Sequence, residues 1–164
     1  MGLDNERVEA AVRSDAIQRA ARMWAEEPLC RSMAAESEVY RFTWDSSFDG
    51  GAVVRIGREV DEIKLRWLYR WFSTPSPHDT PSCVRLTLAH WQRLQEALIA
   101  ASFWTLDAAN DLLLRGLDGA FWTIEGRRKD VYRSVRRWSP REAIHDLGLF
   151  FELAGPPLAG IEIY

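Results

Sequence analysis

Apolar and polar residues follow two different periods along this chain. In residues 4–27 the apolar positions recur every three or four residues, a spacing that predicts an amphipathic helix, and Pro28 ends it. From Glu38 onward apolar and polar residues alternate instead, which is typical of strands. We therefore expect an N-terminal helical segment over residues 1–36 and a single further domain over residues 37–164.

The alternating part of the chain predicts several strands and two helices. The strand from Ile63 to Trp71 is the clearest, because its apolar side chains lie on one side and its basic side chains on the other, wet side. Thr87 suits the N-cap of one helix, and Ser139 suits the N-cap of a last helix. The predicted strands cover residues 40–44, 52–56, 63–71, 83–86, 120–125 and 130–138. This order indicates an α+β fold, with an antiparallel sheet and helices on one face.

A short motif occurs twice in the chain with unchanged internal spacing. An Asp-Gly pair, a Gly-Arg pair and a single aspartate follow one another, and all three recur 69 residues later. The copies are Asp49-Gly50, Gly57-Arg58 and Asp61, then Asp118-Gly119, Gly126-Arg127 and Asp130. Because repetition at fixed spacing is typical of repeated architecture, we expect two related ββα halves rather than one active site.

Composition narrows the class of protein. With 164 residues, the chain is long enough for one domain with a sizeable core. The formal net charge of −3 argues against a general attraction to nucleic acid or anionic membranes, although it is compatible with a local basic patch. The N-terminal residues lack the long apolar stretch of a signal peptide or membrane span, so we expect a cytoplasmic protein without a membrane partner.

Cysteine and histidine give no sign of a metal site or a disulfide framework. Cys30 and Cys83 are far apart, and the three histidines form no cluster with ligand spacing. The glycine-rich phosphate-binding motifs and the nucleophile-elbow motif are also missing from the sequence. We therefore expect neither a metal nor a cofactor.

Two carboxylates, Asp118 and Glu125, are the residues most open to a chemical role. An Asp-Gly pair is, however, a common turn signal, because glycine accepts positive φ and aspartate caps nearby amides. Glu125 lies in a predicted strand near basic residues, where a structural ion pair is the simpler expectation. The enzymatic alternative is a hydrolase-like cleft in which Asp118 and Glu125 act and Arg137 stabilises developing negative charge.

Basic residues form the strongest charge feature of the sequence. Seven of them lie within residues 127–141, and Lys64, Arg66 and Arg70 share one side of an earlier strand. Interleaved with aromatic residues, such a face suits contacts to phosphates and stacking on bases. The simpler interpretation is that arginine stems cover an aromatic sheet while their charged heads meet local carboxylates.

The C-terminal third also carries a motif of the form D-G-x-x-W-x-x-E, followed by a tyrosine and a closing R-W-S-P. This pattern resembles a group of uncharacterised bacterial proteins. The resemblance implies no established activity, and Arg133 follows the tyrosine where many relatives have histidine. The residues that carry the resemblance are Asp118, Gly119, Trp122, Glu125, Tyr132 and Arg137-Trp138-Ser139-Pro140.

These observations favour a small bacterial binding protein over an enzyme. Tryptophan and arginine, which with tyrosine anchor protein interfaces, are frequent, and the sequence contains no catalytic constellation. We expect a protein partner, and an immunity or inhibitor protein that neutralises a toxin fits this description. The alternative is nucleic-acid or anionic-ligand binding through the same arginines. The candidate partner-binding residues are Arg66, Arg70, Arg133 and Arg137.

Overall fold

The computed structural model describes residues 37–46, 50–71, 82–106, 119–141 and 143–148. Its strands are β1 (Glu38–Ser46), β2 (Gly50–Arg58), β3 (Ile63–Trp71), β4 (Ser82–Leu86), β5 (Ala120–Arg128) and β6 (Val131–Trp138). Helix α1 covers Leu88–Ala100, and residues 143–148 are helical as well. The helix expected in residues 4–27 lies outside the described residues.

The six strands form one antiparallel sheet in the order β4-β3-β2-β1-β5-β6. β1 lies inside the sheet and pairs with both β2 and β5, while β4 and β6 form the two edges. The β2–β3 and β5–β6 pairs are hairpins, with short turns after Arg58 and Arg128. The sheet and its helices agree with the α+β class expected from the sequence.

The main core lies between one face of the sheet and the helices, and we call this side the helix face. β1 contributes Tyr40, Phe42 and Trp44 to it, because alternate residues of a strand point to the same side. Each large apolar side chain that is fully buried adds roughly 1.5–3 kcal/mol of stability, so this aromatic layer is a major source of folding free energy. The helical residues in the same cluster are Trp91, Leu94, Leu98, Ile144 and Leu147.

The opposite side of the sheet, which we call the polar face, is also buried along the central strands. Arg41, Thr43, Arg55, Thr123 and Glu125 all lie there and are buried. The wet face predicted for β3, where Lys64 and Arg66 are half-buried, therefore does not extend to β1, β2 and β5. Charged groups can enter an interior when they are paired and hydrogen-bonded, and Arg41 and Glu125 form such a pair.

The two predicted helix caps differ in outcome. Thr87 is the N-cap of α1, since its side chain accepts a hydrogen bond from the backbone N–H of His90. Ser139 is not a helix cap, because residues 139–141 are not helical. Its Oγ accepts a hydrogen bond from Ala120 N at 3.3 Å, so the hydroxyl joins the start of β5 to the end of β6.

The repeated motif falls in corresponding hairpins, β2–β3 and β5–β6, on either side of β1. Gly57 pairs with Val39, and Gly126 pairs with Tyr40, so the matched glycines stand on opposite faces of the sheet. Both described helical segments nevertheless pack on the helix face. The repeat therefore matches the positions of two hairpins and not the side chains that enter the core, and related ββα halves stay a prediction.

Candidate functional site

The residues around the closing R-W-S-P join the ends of β5 and β6. Gly119 has a φ of +150°, a backbone conformation that residues with side chains rarely adopt. A Cβ at this position would lie 2.5 Å from Ser139 Oγ and 2.8 Å from the Trp138 ring. Ser139 N also donates to Ala120 O at 2.8 Å. Packing and backbone geometry therefore account for Gly119, Trp138 and Ser139 in the motif.

Trp122 is a core residue of the helix face. Its ring centroid lies 5.2 Å from that of Phe42 in an edge-to-face arrangement and 5.4 Å from that of His145 in a stacked one. Such contacts fit a packing role, because the tryptophan is buried between the sheet and the helical segment 143–148. Asp118, the other carboxylate of the enzymatic alternative, lies outside the described residues.

Glu125 is the centre of a buried network on the polar face, which it forms with Arg41 and Tyr132. The exposed fractions of Glu125 and Arg41 are 0% and 1%. Arg41 Nε donates to Glu125 Oε2 at 2.6 Å, and the Tyr132 hydroxyl donates to Glu125 Oε1 at 2.8 Å. The register explains the first contact, because β1 places Arg41 directly opposite Glu125 on β5. Both oxygens of the carboxylate are engaged, as expected of a structural ion-pair partner.

Polar atoms surround this Glu125 network on the same face. Arg41 Nη1, Thr123 Oγ1 and Ser134 Oγ are buried and have no hydrogen-bond partner among the described residues. Arg136 lies close by, with its guanidinium carbon 3.7 Å from the centroid of the Phe121 ring. The polar face therefore offers more donors and acceptors than the described residues use.

The four arginines predicted as partner anchors do not share one surface. Arg66 lies on the polar face of β3, whereas Arg133 and Arg137 stand on the helix face of β6. Three strands, β2, β1 and β5, separate β3 from β6 in the sheet. Arg70 is paired in β3 through its backbone. The structure brings Arg133 and Arg137 together on one strand and keeps Arg66 apart from them.

A second candidate site lies on the surface, at the end of the sheet where β1 begins. Ser37 joins two hairpins there, because its N donates to Arg58 O at 3.0 Å and its O accepts from Lys129 N at 3.3 Å. Val60, in the β2–β3 turn, is 88% exposed, and Val131, at the start of β6, is 56% exposed. Glu38, Arg58, Val60, Arg128 and Val131 make up what we call the turn-end surface.

Two arginines of the turn-end surface lie over tryptophan rings. The register places Arg58 and Arg128 on either side of Glu38, on the helix face. The guanidinium carbon of Arg58 is 5.9 Å from the ring centroid of Trp91, and that of Arg128 is 5.1 Å from the ring centroid of Trp104. Neither guanidinium forms an ion pair or a hydrogen bond with the described residues.

The carboxylate of Glu38 is bound to the core and not to these arginines. The Tyr40 hydroxyl donates to Glu38 Oε1, and Gln95 Nε2 donates to the same oxygen at 3.3 Å. Burial, together with the hydrogen bond and the charge of Glu38, raises the pKa of Tyr40 well above its usual range. Tyr40 therefore stays a donor over the physiological pH range and holds Glu38 in place.

Arg58 belongs to the repeated motif and Arg128 to the basic run in residues 127–141, but no local sequence pattern relates the two, and none singles out Arg41. The only local signal for Arg41 is its place in an alternating strand, where it faces away from the aromatic residues on either side. Its partner Glu125 is 84 residues further along the chain, so strand pairing is needed to bring the two together. Strand pairing also brings Arg58 and Arg128 to the same end of the sheet, because both are aligned with Glu38 on β1.

No protein-family model matches the chain, and no curated protein matches it. Within the described ranges, no group of three or more His, Cys, Asp or Glu side chains is placed to hold a metal ion. The helices in those ranges are too short or too polar to cross a membrane.

Proposed function

We propose that this protein binds another protein, and that it is a cytoplasmic immunity or inhibitor protein that neutralises its partner, for example a toxin. The observation that carries the proposal is the turn-end surface. Val60 lies in the turn that follows Arg58, Val131 is the strand partner of Arg128, and both expose apolar side chains. Apolar residues next to arginine and aromatic residues are typical of protein interfaces.

Exposed apolar residues alone would carry little weight, because single ones are common on protein surfaces. Leu88 and Ile99 of α1 are exposed too. The turn-end surface differs in that its apolar residues lie next in the chain or the sheet to two arginines without described ion pairs, and the pairing of β1 with β2 and β5 fixes the positions of these arginines. A rigid backbone lowers the entropy lost on binding, which favours recognition at this place.

The alternatives have less support from the described geometry. Glu125 is fully buried and its oxygens accept hydrogen bonds from Arg41 and Tyr132, an arrangement that suits an ion pair better than a general acid or base. The arginines proposed for nucleic-acid binding do not form one path, because Arg66 lies on the polar face of β3 whereas Arg133 and Arg137 lie on the helix face of β6. Both observations favour the protein-binding hypothesis.

Binding of a small anion on the polar face is a second candidate. The unused donors Arg41 Nη1, Thr123 Oγ1 and Ser134 Oγ favour it. Inorganic phosphate should then raise the melting temperature of the wild type, and Thr123→Val should remove the effect. An equal rise in wild type and Thr123→Val would contradict this second candidate.

The test of the main proposal is retention of a partner from a lysate of the organism that encodes the protein, with and without nuclease. We expect one protein to be retained in near-equal amount after nuclease treatment. Val60→Asp with Val131→Asp should abolish retention, because the charges must be desolvated in the interface. Ile99→Asp, an exposed apolar position on α1, is the matched control and should retain the partner. Recovery of nucleic acid alone, or retention unchanged in the double variant, would contradict the proposal.

A further inference from the structure

The guanidinium groups of Arg58 and Arg128 are donors held in place without a described acceptor. Each lies over a tryptophan ring, Trp91 or Trp104, and forms no ion pair or hydrogen bond with the described residues. A guanidinium over an aromatic ring keeps its N–H groups in its own plane, where they match a carboxylate in a two-pronged contact. Both arginines therefore have donors available for an anionic group from outside.

The spacing of these arginines suits two separate anionic groups. Arg58 and Arg128 are both aligned with Glu38, so one strand lies between them and their backbones are about 9.6 Å apart. Glu38 does not bridge the gap, because its carboxylate accepts hydrogen bonds from Tyr40 and Gln95. A ligand with two carboxylates a few residues apart along one segment spans such a distance.

The surroundings favour an acidic protein segment over a nucleic acid. Val60, two residues after Arg58, and Val131, the strand partner of Arg128, are exposed and offer apolar contacts that a phosphate backbone does not use. Asp61 and Asp130 are exposed in the same two turns, and their charges would repel a continuous polyanion. A protein segment with two carboxylates among apolar residues can contact the exposed valines, and it avoids the repulsion that a continuous polyanion would meet.

We propose that the turn-end surface binds an acidic segment of the partner protein, with one carboxylate on Arg58 and one on Arg128. This inference rests on the proposed function and adds the chemistry of the partner to it. Glu38 sets the selectivity for two separate carboxylates. Its negative charge lies between the arginines and repels any third anion placed there.

The test measures binding of a short synthetic peptide that carries two glutamates about three positions apart among valine and serine residues, by calorimetry at low salt, with indole N–H resonances as a second readout. Arg58→Met with Arg128→Met should weaken binding at least about tenfold, since two charge-assisted contacts are lost. Arg93→Met with Arg141→Met removes two exposed cations elsewhere and is the matched control, with affinity expected to change less than about twofold. Glu38→Gln keeps the oxygen that Tyr40 donates to and should tighten binding.

Three results would overturn the inference. The first is no binding of the two-glutamate peptide to the wild type, the second is equal weakening in both double variants, and the third is tighter binding of a ten-nucleotide thymidine oligomer through the same arginines. Failure of the proposed function has a different signature. If a protein partner is retained from lysate and Arg58→Met with Arg128→Met still binds it, only the acidic-segment inference fails. If no protein is retained and the peptide still binds through Arg58 and Arg128, only the proposed function fails.

Discussion

Arg41 and Arg58 lie on adjacent strands of the same sheet, yet their guanidinium groups meet different surroundings. Arg41 is buried on the polar face and paired with Glu125 at 2.5 Å. Arg58 is half-buried on the helix face, lies over Trp91 and has no ion pair with the described residues. The guanidinium of Arg41 is part of a buried polar network, whereas that of Arg58 is part of the turn-end surface.

This difference predicts whether a mutation changes the stability of the protein or its binding. Removing one partner of a buried ion pair leaves a charge in a medium of low polarity, whereas an exposed guanidinium stays hydrated whether or not its neighbour is present. Changes in the Glu125 network should therefore act on the free energy of unfolding. Changes at the turn-end surface should act on binding and leave stability nearly intact.

The largest expected effect is that of Glu125→Ala on stability. The substitution leaves Arg41 buried without its carboxylate, and breaking a buried pair in this way costs about 3–5 kcal/mol. Guanidinium chloride unfolding, followed by tryptophan fluorescence, measures the loss. Glu59→Ala is the control, because Glu59 pairs with Lys64 on the surface at 3.6 Å, and it should change stability little.

A double variant sharpens the same comparison. Arg41→Met with Glu125→Leu removes both charges and replaces them with apolar volume, so it should recover much of the stability lost in Glu125→Ala. Equal unfolding midpoints for Glu125→Ala and Glu59→Ala would show that the buried pair does not contribute as its geometry implies.

Tyr132→Phe tests the second contact of the Glu125 network. The variant removes the hydroxyl that donates to Glu125 Oε1 at 2.8 Å but leaves the pair with Arg41 intact. A hydrogen bond to a charged group contributes about 1.5–3 kcal/mol, and the lower end applies because Tyr132 is only half-buried. The same unfolding measurement applies, and a loss as large as that of Glu125→Ala would place the main support on Tyr132 instead of Arg41.

Stability at alkaline pH reports on Tyr40, below the turn-end surface. Burial and Glu38 raise the pKa of Tyr40, so the folded protein keeps this proton after the unfolded chain has lost it. Stability is therefore fully present below about pH 10, the ordinary pKa of tyrosine, and falls above it. One retained proton gives a slope of about 1.4 kcal/mol per pH unit. Tyr40→Phe should show a shallower decline between pH 10 and 11, and equal slopes would contradict this account.

The sequence predicts the framework of these regions better than their contacts. Alternation is enough to find the strands around Phe42 and Ile63, and Thr87 marks the start of α1, because such signals act over a few residues. The burial of the polar face depends on Arg41 meeting Glu125, a contact 84 residues apart that no local period encodes. Ser139 shows the same limit, since a hydroxyl that suits a helix cap instead accepts from Ala120 across the sheet.

The alignment of arginines at the turn-end surface is equally invisible in the sequence. Arg58 and Arg128 lie in the two separate copies of the repeated motif, and only the register of β1 with its two neighbours sets them on either side of Glu38. Arg66, Arg133 and Arg137 stand out by clustering in the sequence, but the sheet order separates β3 from β6. Clustering along the chain is therefore a weaker guide to a surface than pairing in the sheet.

The smallest expected effect is the loss of stability in Arg128→Met. Arg128 is exposed, methionine keeps much of its apolar stem, and the contact with Trp104 at 5.1 Å contributes about 0.5–1 kcal/mol at such a site. Guanidinium chloride unfolding of Arg128→Met and of Glu125→Ala under the same conditions compares the two losses of stability. If Arg128→Met were as damaging as Glu125→Ala, the guanidinium over Trp104 would be part of the structural core. The contrast between a paired interior arginine and a surface arginine prepared for a partner would then no longer hold.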